Sequence, residues 1–200
     1  MKKVFLLLMA GSLLMLFNTC AMAEPPPPPD YLSLMVDAAA TGDLEAGHLA
    51  EYSRNRQIDE EESGEIKVSF DDLYLLSRLI QTEAGSYWVT DEYRLCVGEV
   101  VMNRVASPEY PDSLEAVIYQ ESAYPEACTA SFQDNCIPSR PCIHAALDLL
   151  LGQRMMAPQV VLQSHHELED VYAVYYDRIL GFTYFAASPH PELYPQSAET

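Results

Sequence analysis

Glu83 is the residue whose type and placement point most directly to chemistry. It closes the stretch Val68-Ser-Phe-Asp-Asp-Leu-Tyr-Leu-Leu-Ser-Arg-Leu-Ile-Gln-Thr-Glu-Ala-Gly85. At about 100° per residue, Leu73, Leu75, Leu76, Leu79 and Ile80 fall on one side of a helix, and Tyr74, Ser77, Arg78, Gln81 and Thr82 on the other. Glu83 lands among the apolar residues, on the last turn. A carboxylate so placed is partly desolvated and sits next to the negative end of the helix dipole; both effects disfavour ionisation. That is what a general acid working near neutral pH requires. The same placement also suits a carboxylate that only flanks the core edge or makes an ion pair.

The positioning helix is written locally. Ser69 with Asp72 three residues on forms a capping box, Val68 and Leu73 are spaced as a hydrophobic staple, and Asp71-Asp72 suit the positive end of the dipole. Ala84-Gly85 is expected to end it, with glycine free to turn the backbone. Trp88, the sole tryptophan, follows within five residues of Glu83. Its flat apolar face suits a sugar ring or a place in the core. Thr90-Asp91-Glu92 then caps a second helix running to about Val105, with Tyr93, Cys96, Val97 and Val100 as its buried stripe. Asn103 and Arg104 fall on or beside that stripe and must find partners, either in a neighbouring loop and the helix end or as the wall opposite Glu83.

Upstream, Lys2-Lys3, the apolar run Val4 to Phe17 and Ala21-Met-Ala23 spell a secretory signal peptide over residues 1–23, with cleavage before Glu24. The run is too short for a comfortable membrane span. Cys20 raises a lipoprotein alternative, which Phe17-Asn-Thr19 before it fits poorly. The expected location is therefore secreted, extracytoplasmic and cell-wall associated. Residues 24–65 comprise a stiff Pro25–Pro29 tether and a helical hairpin, Tyr31 to Ala40 and Asp43 to Gln57, broken at Thr41-Gly42-Asp43; residues 66–195 form the main domain. The hairpin reads as a packing or spacer element. Asp59 to Glu65 reads as a solvated acidic loop that lacks the alternating ligands and central glycine of a calcium loop. Without Lys2 and Lys3, 9 basic and 30 acidic residues leave a formal charge of −21, which repels nucleic acid and anionic membrane.

Ser122 to Cys142 is rich in proline and cysteine. At least one disulfide is expected among Cys128, Cys136 and Cys142, because an exported loop without regular structure gains most from closure; Cys96, on a helical stripe, is expected to be a buried thiol. Arg140 to Leu151 reads as a helix with Ile143, Ala146, Leu147 and Leu150 inward, and Val160–Gln163 and Phe182–Ala186 as strands. Tyr172, Tyr175, Tyr176, Tyr184 and Tyr194 crowd this end, filling core and surface, with one or two lining a groove. Histidines 48, 144, 165, 166 and 190 are the available zinc ligands. His165-His166 lacks the i, i+4 spacing that puts two imidazoles on one helix face, so no metal and no cofactor are expected.

Three blocks carry a family resemblance: Asp72 to Gly85; Val97-Gly-Glu-Val-Val-Met-Asn-Arg-Val-Ala-Ser-Pro108; and Tyr110-Pro-Asp-Ser-Leu-Glu-Ala-Val-Ile-Tyr-Gln120. In order and spacing they resemble the SleB-type cell-wall hydrolases, which include the spore cortex-lytic enzymes. Weaker similarity continues through Ala145-Ala-Leu147 to Gly181-Phe-Thr-Tyr-Phe185. The resemblance implies an α+β fold, a small, mostly helical lysozyme-like domain with a short antiparallel sheet. It implies peptidoglycan glycan strands as partner and substrate, cut between N-acetylmuramic acid and N-acetylglucosamine, with Glu83 matching the family's catalytic glutamate. In lytic transglycosylases of this kind one glutamate is acid and then base, and the muramic 6-hydroxyl replaces water. A two-carboxylate hydrolysis needs a partner, for which only Glu99 was conceivable. Trp88, Asn103, Tyr124 and Tyr184 are the expected substrate contacts. The chain departs from the family where Gly-Glu, Gly-His and Gln-Phe become Gly85-Ser86-Tyr87, Gly181-Phe182 and Ser122-Ala-Tyr-Pro125. A noncatalytic wall-binding module and an N-acetylmuramoyl-L-alanine amidase are the alternative readings.

Overall fold

A computed structural model describes residue 27, residues 29–179 and residues 181–194. The expected signal peptide over 1–23 and most of the expected proline tether lie outside them. Six α-helices precede a small sheet: α1 (Tyr31–Thr41), α2 (Leu44–Glu61), α3 (Phe70–Ala84), α4 (Asp91–Ala106), α5 (Leu114–Ile118) and α6 (Arg140–Leu150), then β1 (Val160–Ser164), β2 (Val171–Asp177) and β3 (Gly181–Ala187). The fold is thus α+β, mostly helical. The sheet is antiparallel in the order β1-β3-β2. β2 departs from the expected strands, although Val171-Tyr-Ala-Val-Tyr-Tyr176 is β-branched or aromatic at every position but Ala173.

The capping signals act as read. Ser69 accepts the N–H of Asp72, Thr90 that of Tyr93 and Asp43 that of Ala46, each satisfying an orphan donor of a first turn. Gly42, at φ 71°, takes the left-handed turn between α1 and α2. Gly85 differs from expectation. Its φ is −76°, so no left-handed turn is made, and glycine is needed for space. A Cβ there would come within 2.0 Å of the Gln81 side chain and 2.2 Å of the Gln81 carbonyl oxygen. A second departure is α2, which runs to Glu61 and absorbs the first half of the expected acidic loop.

α4 lies against α3, α6, α5 and β1 and is buried on several faces. Gly98 permits a close approach to α6 and α3: a Cβ would sit 2.5 Å from Leu149 Cδ1 and 2.7 Å from Ile80 Cδ1. Opening that contact to admit a methyl group costs about 1–3 kcal/mol. Around it Leu73, Leu76, Leu79, Ile80, Val97, Val100, Val101, Ile143 and Leu149 are buried. Each contributes roughly 1.5–3 kcal/mol relative to exposure. The hairpin joins the same core through Met35, Val36 and Ala39, and Gly47 of α2 seats the Phe70 ring. An Arg140–Asp37 ion pair at 2.6 Å spans α6 and α1. Of the two roles open to the hairpin, the structure favours packing.

The wheel placed Ser77 and Arg78 of α3 outward, and both are buried. The segment after α5 folds over that side of α3: it forms a 3₁₀ turn at Pro125–Cys128 and a wide helical turn at Ser131–Asn135, and it lays Phe132 on Arg78. Ser77 turns its hydroxyl back to the Leu73 carbonyl at 2.5 Å.

The expected disulfide is not formed. Cys96, Cys128, Cys136 and Cys142 are all free thiols. The three expected partners belong to different local structures: Cys128 is exposed at the end of the 3₁₀ turn, Cys136 is half-buried against α3 near the Arg78 carbonyl, and Cys142 is fully buried in the first turn of α6. A bridge needs Cβ atoms about 3.5–4.5 Å apart and facing one another, a demand that cysteine spacing alone does not meet. Cys96 is half-buried, and burial pushes its thiol up to about 11.

Candidate functional site

Glu83 occupies the last turn of α3, half-buried, immediately before the Gly85 turn. Burial holds its carboxyl above the usual range, the negative charge of Glu126 adds to this, and His165 opposes it. These three residues come from α3, from the 3₁₀ turn after α5, and from the connection between β1 and β2. The fold therefore gathers ionisable groups that lie 43 and 82 positions further along the chain around the one carboxyl singled out by periodicity.

The groups behind it are held by the sheet. Tyr93, fully buried on the first turn of α4, bonds Thr183 Oγ1 at 3.1 Å and stacks on Tyr175 with ring centroids 4.4 Å apart. Burial raises the Tyr93 phenol, and Glu83 is among the charges that add to the rise. Thr183 Oγ1 lies 3.4 Å from His165 Nδ1, which is also 3.3 Å from the Phe182 carbonyl. A carbonyl only accepts, so Nδ1 carries a proton when it makes this contact. Tyr175 donates to Thr90 Oγ1 at 3.0 Å and thereby fastens β2 to the turn that carries Trp88.

Tyr124 forms another wall. Its side chain is buried, with the residue 7% exposed, and its hydroxyl has no hydrogen-bond partner among the described residues. Burial pushes the phenol up to about 12; Arg104 pulls the other way and Glu83 adds to the rise. An enclosed, neutral O–H without an acceptor is an unsatisfied donor, and the Glu83 charge acts on it.

Among the other expected contacts, Trp88 is 40% exposed, edge-on to Tyr87 at 4.7 Å, and Tyr87 is 89% exposed. The two rings stand in solvent on the turn that follows Glu83. Asn103 takes the structural option: its side-chain amide, buried, donates to the Ala157 and Val160 carbonyls at 3.1 and 3.0 Å and ties the start of β1 to α4. Arg104 acts beside it, donating to the Val161 carbonyl at 2.8 Å and lying 5.2 Å from the Tyr110 and Tyr124 ring centroids. Tyr184 alternates with Thr183 along β3 and so belongs to the face opposite the Tyr93 contact, with Phe182 6.2 Å away. The structure thus brings Tyr124 toward Glu83, puts Trp88 on the adjoining turn, and leaves Asn103 and Tyr184 in other roles.

Glu99, the one partner carboxylate conceivable from sequence, is fully buried and committed. It accepts the Met155 N–H at 3.0 and 2.8 Å and the Met156 N–H at 2.9 Å. The second carboxylate near Glu83 is instead Glu126, exposed to solvent. It escaped sequence reasoning because no periodicity or spacing connects a 3₁₀ turn to a helix end. Among the described residues no group of three His, Cys, Asp or Glu is arranged to hold a metal ion.

Residues 90–188 match the family model described as Cell Wall Hydrolase. The chain belongs to the SleB-type cell-wall hydrolases. The matched region of this cell-wall hydrolase runs from the N-cap of α4 through β3, and so contains Tyr93, Tyr124, Glu126, His165 and Thr183. Glu83 lies seven residues before it. No curated protein and no solved structure matches the chain.

Proposed function

We propose that this cell-wall hydrolase is exported and cleaves peptidoglycan glycan strands between N-acetylmuramic acid and N-acetylglucosamine, as a lytic transglycosylase with Glu83 as acid and then base. The observation that carries the reading is the half-buried Glu83 carboxyl, held above its usual range by burial at the helix end that leads into the turn bearing exposed Tyr87 and Trp88. Glu83 gives its proton to the glycosidic oxygen as the C1–O bond breaks. The carboxylate left behind takes the proton of the muramic 6-hydroxyl, whose oxygen closes on C1. In this reading Tyr124, kept neutral by burial, donates to a substrate oxygen without competing for that proton. The aromatic pair on the turn offers a platform for the apolar face of a sugar.

One observation favours a second outcome on the same bond. Glu126 is a solvent-exposed carboxylate near the desolvated Glu83, and such a pair divides into base and acid when water is the nucleophile. Digestion of purified peptidoglycan by residues 24–200, with products read by mass spectrometry, separates the readings. Anhydromuramic ends are the expected result, and reducing muramic ends indicate Glu126-assisted hydrolysis. Release of stem peptides from intact glycan indicates an amidase. A folded protein that binds the wall and releases nothing is a noncatalytic module.

A further inference from the structure

A cavity of about 310 Å³ between α3 and α5 is lined by Asp71, Asp72, Tyr74, Leu75 and Arg78 of α3, by Glu115 of α5 and by Tyr119 at its end. Arg78 is its unusual member. The residue is only 9% exposed, its Nε is buried without an acceptor, and its guanidinium makes no hydrogen bond or ion pair among the described residues. What it has are two ring faces, with its Cζ 4.4 Å from the Phe132 centroid and 5.3 Å from that of Tyr74. Ring faces attract the cation but supply no acceptor for five N–H donors. A buried guanidinium without a carboxylate is costly, and three carboxylates line the same cavity without closing on it.

We infer that this cavity is a binding site for a basic amino acid or a peptide end of that kind, its carboxylate meeting Arg78 and its ammonium groups meeting Asp72 and Glu115. The charges select that class. The lining carries three carboxylates and one guanidinium, a formal excess of two negative charges, so a simple anion is repelled as it approaches Arg78 and a simple cation leaves Arg78 unpaired. Asp71 is already engaged by His48 at 2.8 Å, which leaves Asp72 and Glu115 for the ligand. Burial, with the charges of Asp71 and Glu51 adding, holds the Asp72 carboxyl above its usual range, as for a negative group with no cation close by. Tyr74 and Tyr119 supply hydroxyls and ring surface for the aliphatic stem. The site is independent of Glu83, so it stands or falls separately from the proposed reaction.

The test is a nuclear magnetic resonance titration of residues 24–200, following the Arg78 Nε–H signal. The probes are L-lysine, N-acetyl-alanyl-lysine and 1,5-diaminopentane. L-Lysine shifts the signal and binds about tenfold more tightly than the diamine, which lacks the carboxylate. If N-acetyl-alanyl-lysine binds as well as L-lysine, the natural ligand is a peptide end; if only L-lysine binds, it is the free amino acid. Arg78→Met, which keeps a stem between the two rings, removes the discrimination between lysine and diamine. Glu115→Gln, at an exposed position on α5, weakens L-lysine several-fold and serves if Arg78→Met does not fold. Equal binding of lysine and diamine, or no shift of the Arg78 signal by any probe, overturns the inference.

Discussion

Replacing Glu99 with Gln separates structural from catalytic carboxylates in this chain. The Glu99 carboxylate is fully buried and holds two backbone donors through three contacts of 2.8–3.0 Å, closing the Met155-Met156 turn onto α4 ahead of β1. Gln keeps one acceptor oxygen and puts an NH₂ where the other stood. One charge-assisted bond is lost, worth about 1.5–3 kcal/mol, and a buried donor is left facing backbone N–H groups at about 1–3 kcal/mol more. The sum is about 2.5–6 kcal/mol, a large part of the roughly 5–15 kcal/mol available to a domain. At about 2–4 °C per kcal/mol for a chain of this size, the midpoint of thermal unfolding falls by roughly 5–24 °C. Circular dichroism melts give the midpoint, and peptidoglycan digestion well below it gives the activity per folded molecule. The expected result is a large loss of stability with glycan cleavage retained. A variant that melted within 1 °C of the parent, or that stayed fully folded yet inactive, would refute the assignment of Glu99 as a clamp.

Three further outcomes follow from the same geometry. Glu83→Gln abolishes fragment release by at least about 100-fold while leaving the melt unchanged or slightly higher, because general acid–base groups contribute 10²–10⁴ and no hydrogen bond of the described residues depends on the Glu83 carboxyl; retained turnover removes Glu83 from the mechanism. For Glu126→Gln the sign can be worked out: its negative charge helps hold Glu83 protonated, so the substitution lowers the Glu83 pKa and moves the alkaline limb of kcat/KM to lower pH. A limb that stays in place or moves upward contradicts this electrostatic link. Titration of residues 24–200 with a thiol reagent in denaturant, without reductant, finds four thiols; in the native state Cys142 and Cys96 react slowest, since burial raises both. A count of two indicates a bridge that the fold described here does not contain.

How much was legible in the sequence depends on the range of the interaction. The ends of α3 and α4, the Gly42 turn and the inward carboxyl of Glu83 are decided within a few residues by capping side chains and apolar periodicity, and they could be read directly. The three family blocks likewise pointed to the cell-wall hydrolases that the match over 90–188 supports. What could not be read is what folds over what. Arg78 looks solvent-facing on a wheel and is buried because Phe132, 54 positions later, lands on it. β2 is a strand because β3 offers it an antiparallel partner, and Asn103 serves the start of β1 because two carbonyls there need a donor. Glu126 and His165 reach Glu83 through a 3₁₀ turn and a strand connection, neither of which has a period to detect. The sequence by itself determined the inward carboxyl of Glu83 and the helix that presents it. Tertiary structure chose its neighbours, because desolvation and Coulomb interactions act through space, and chain order carries no record of which loop closes over which helix.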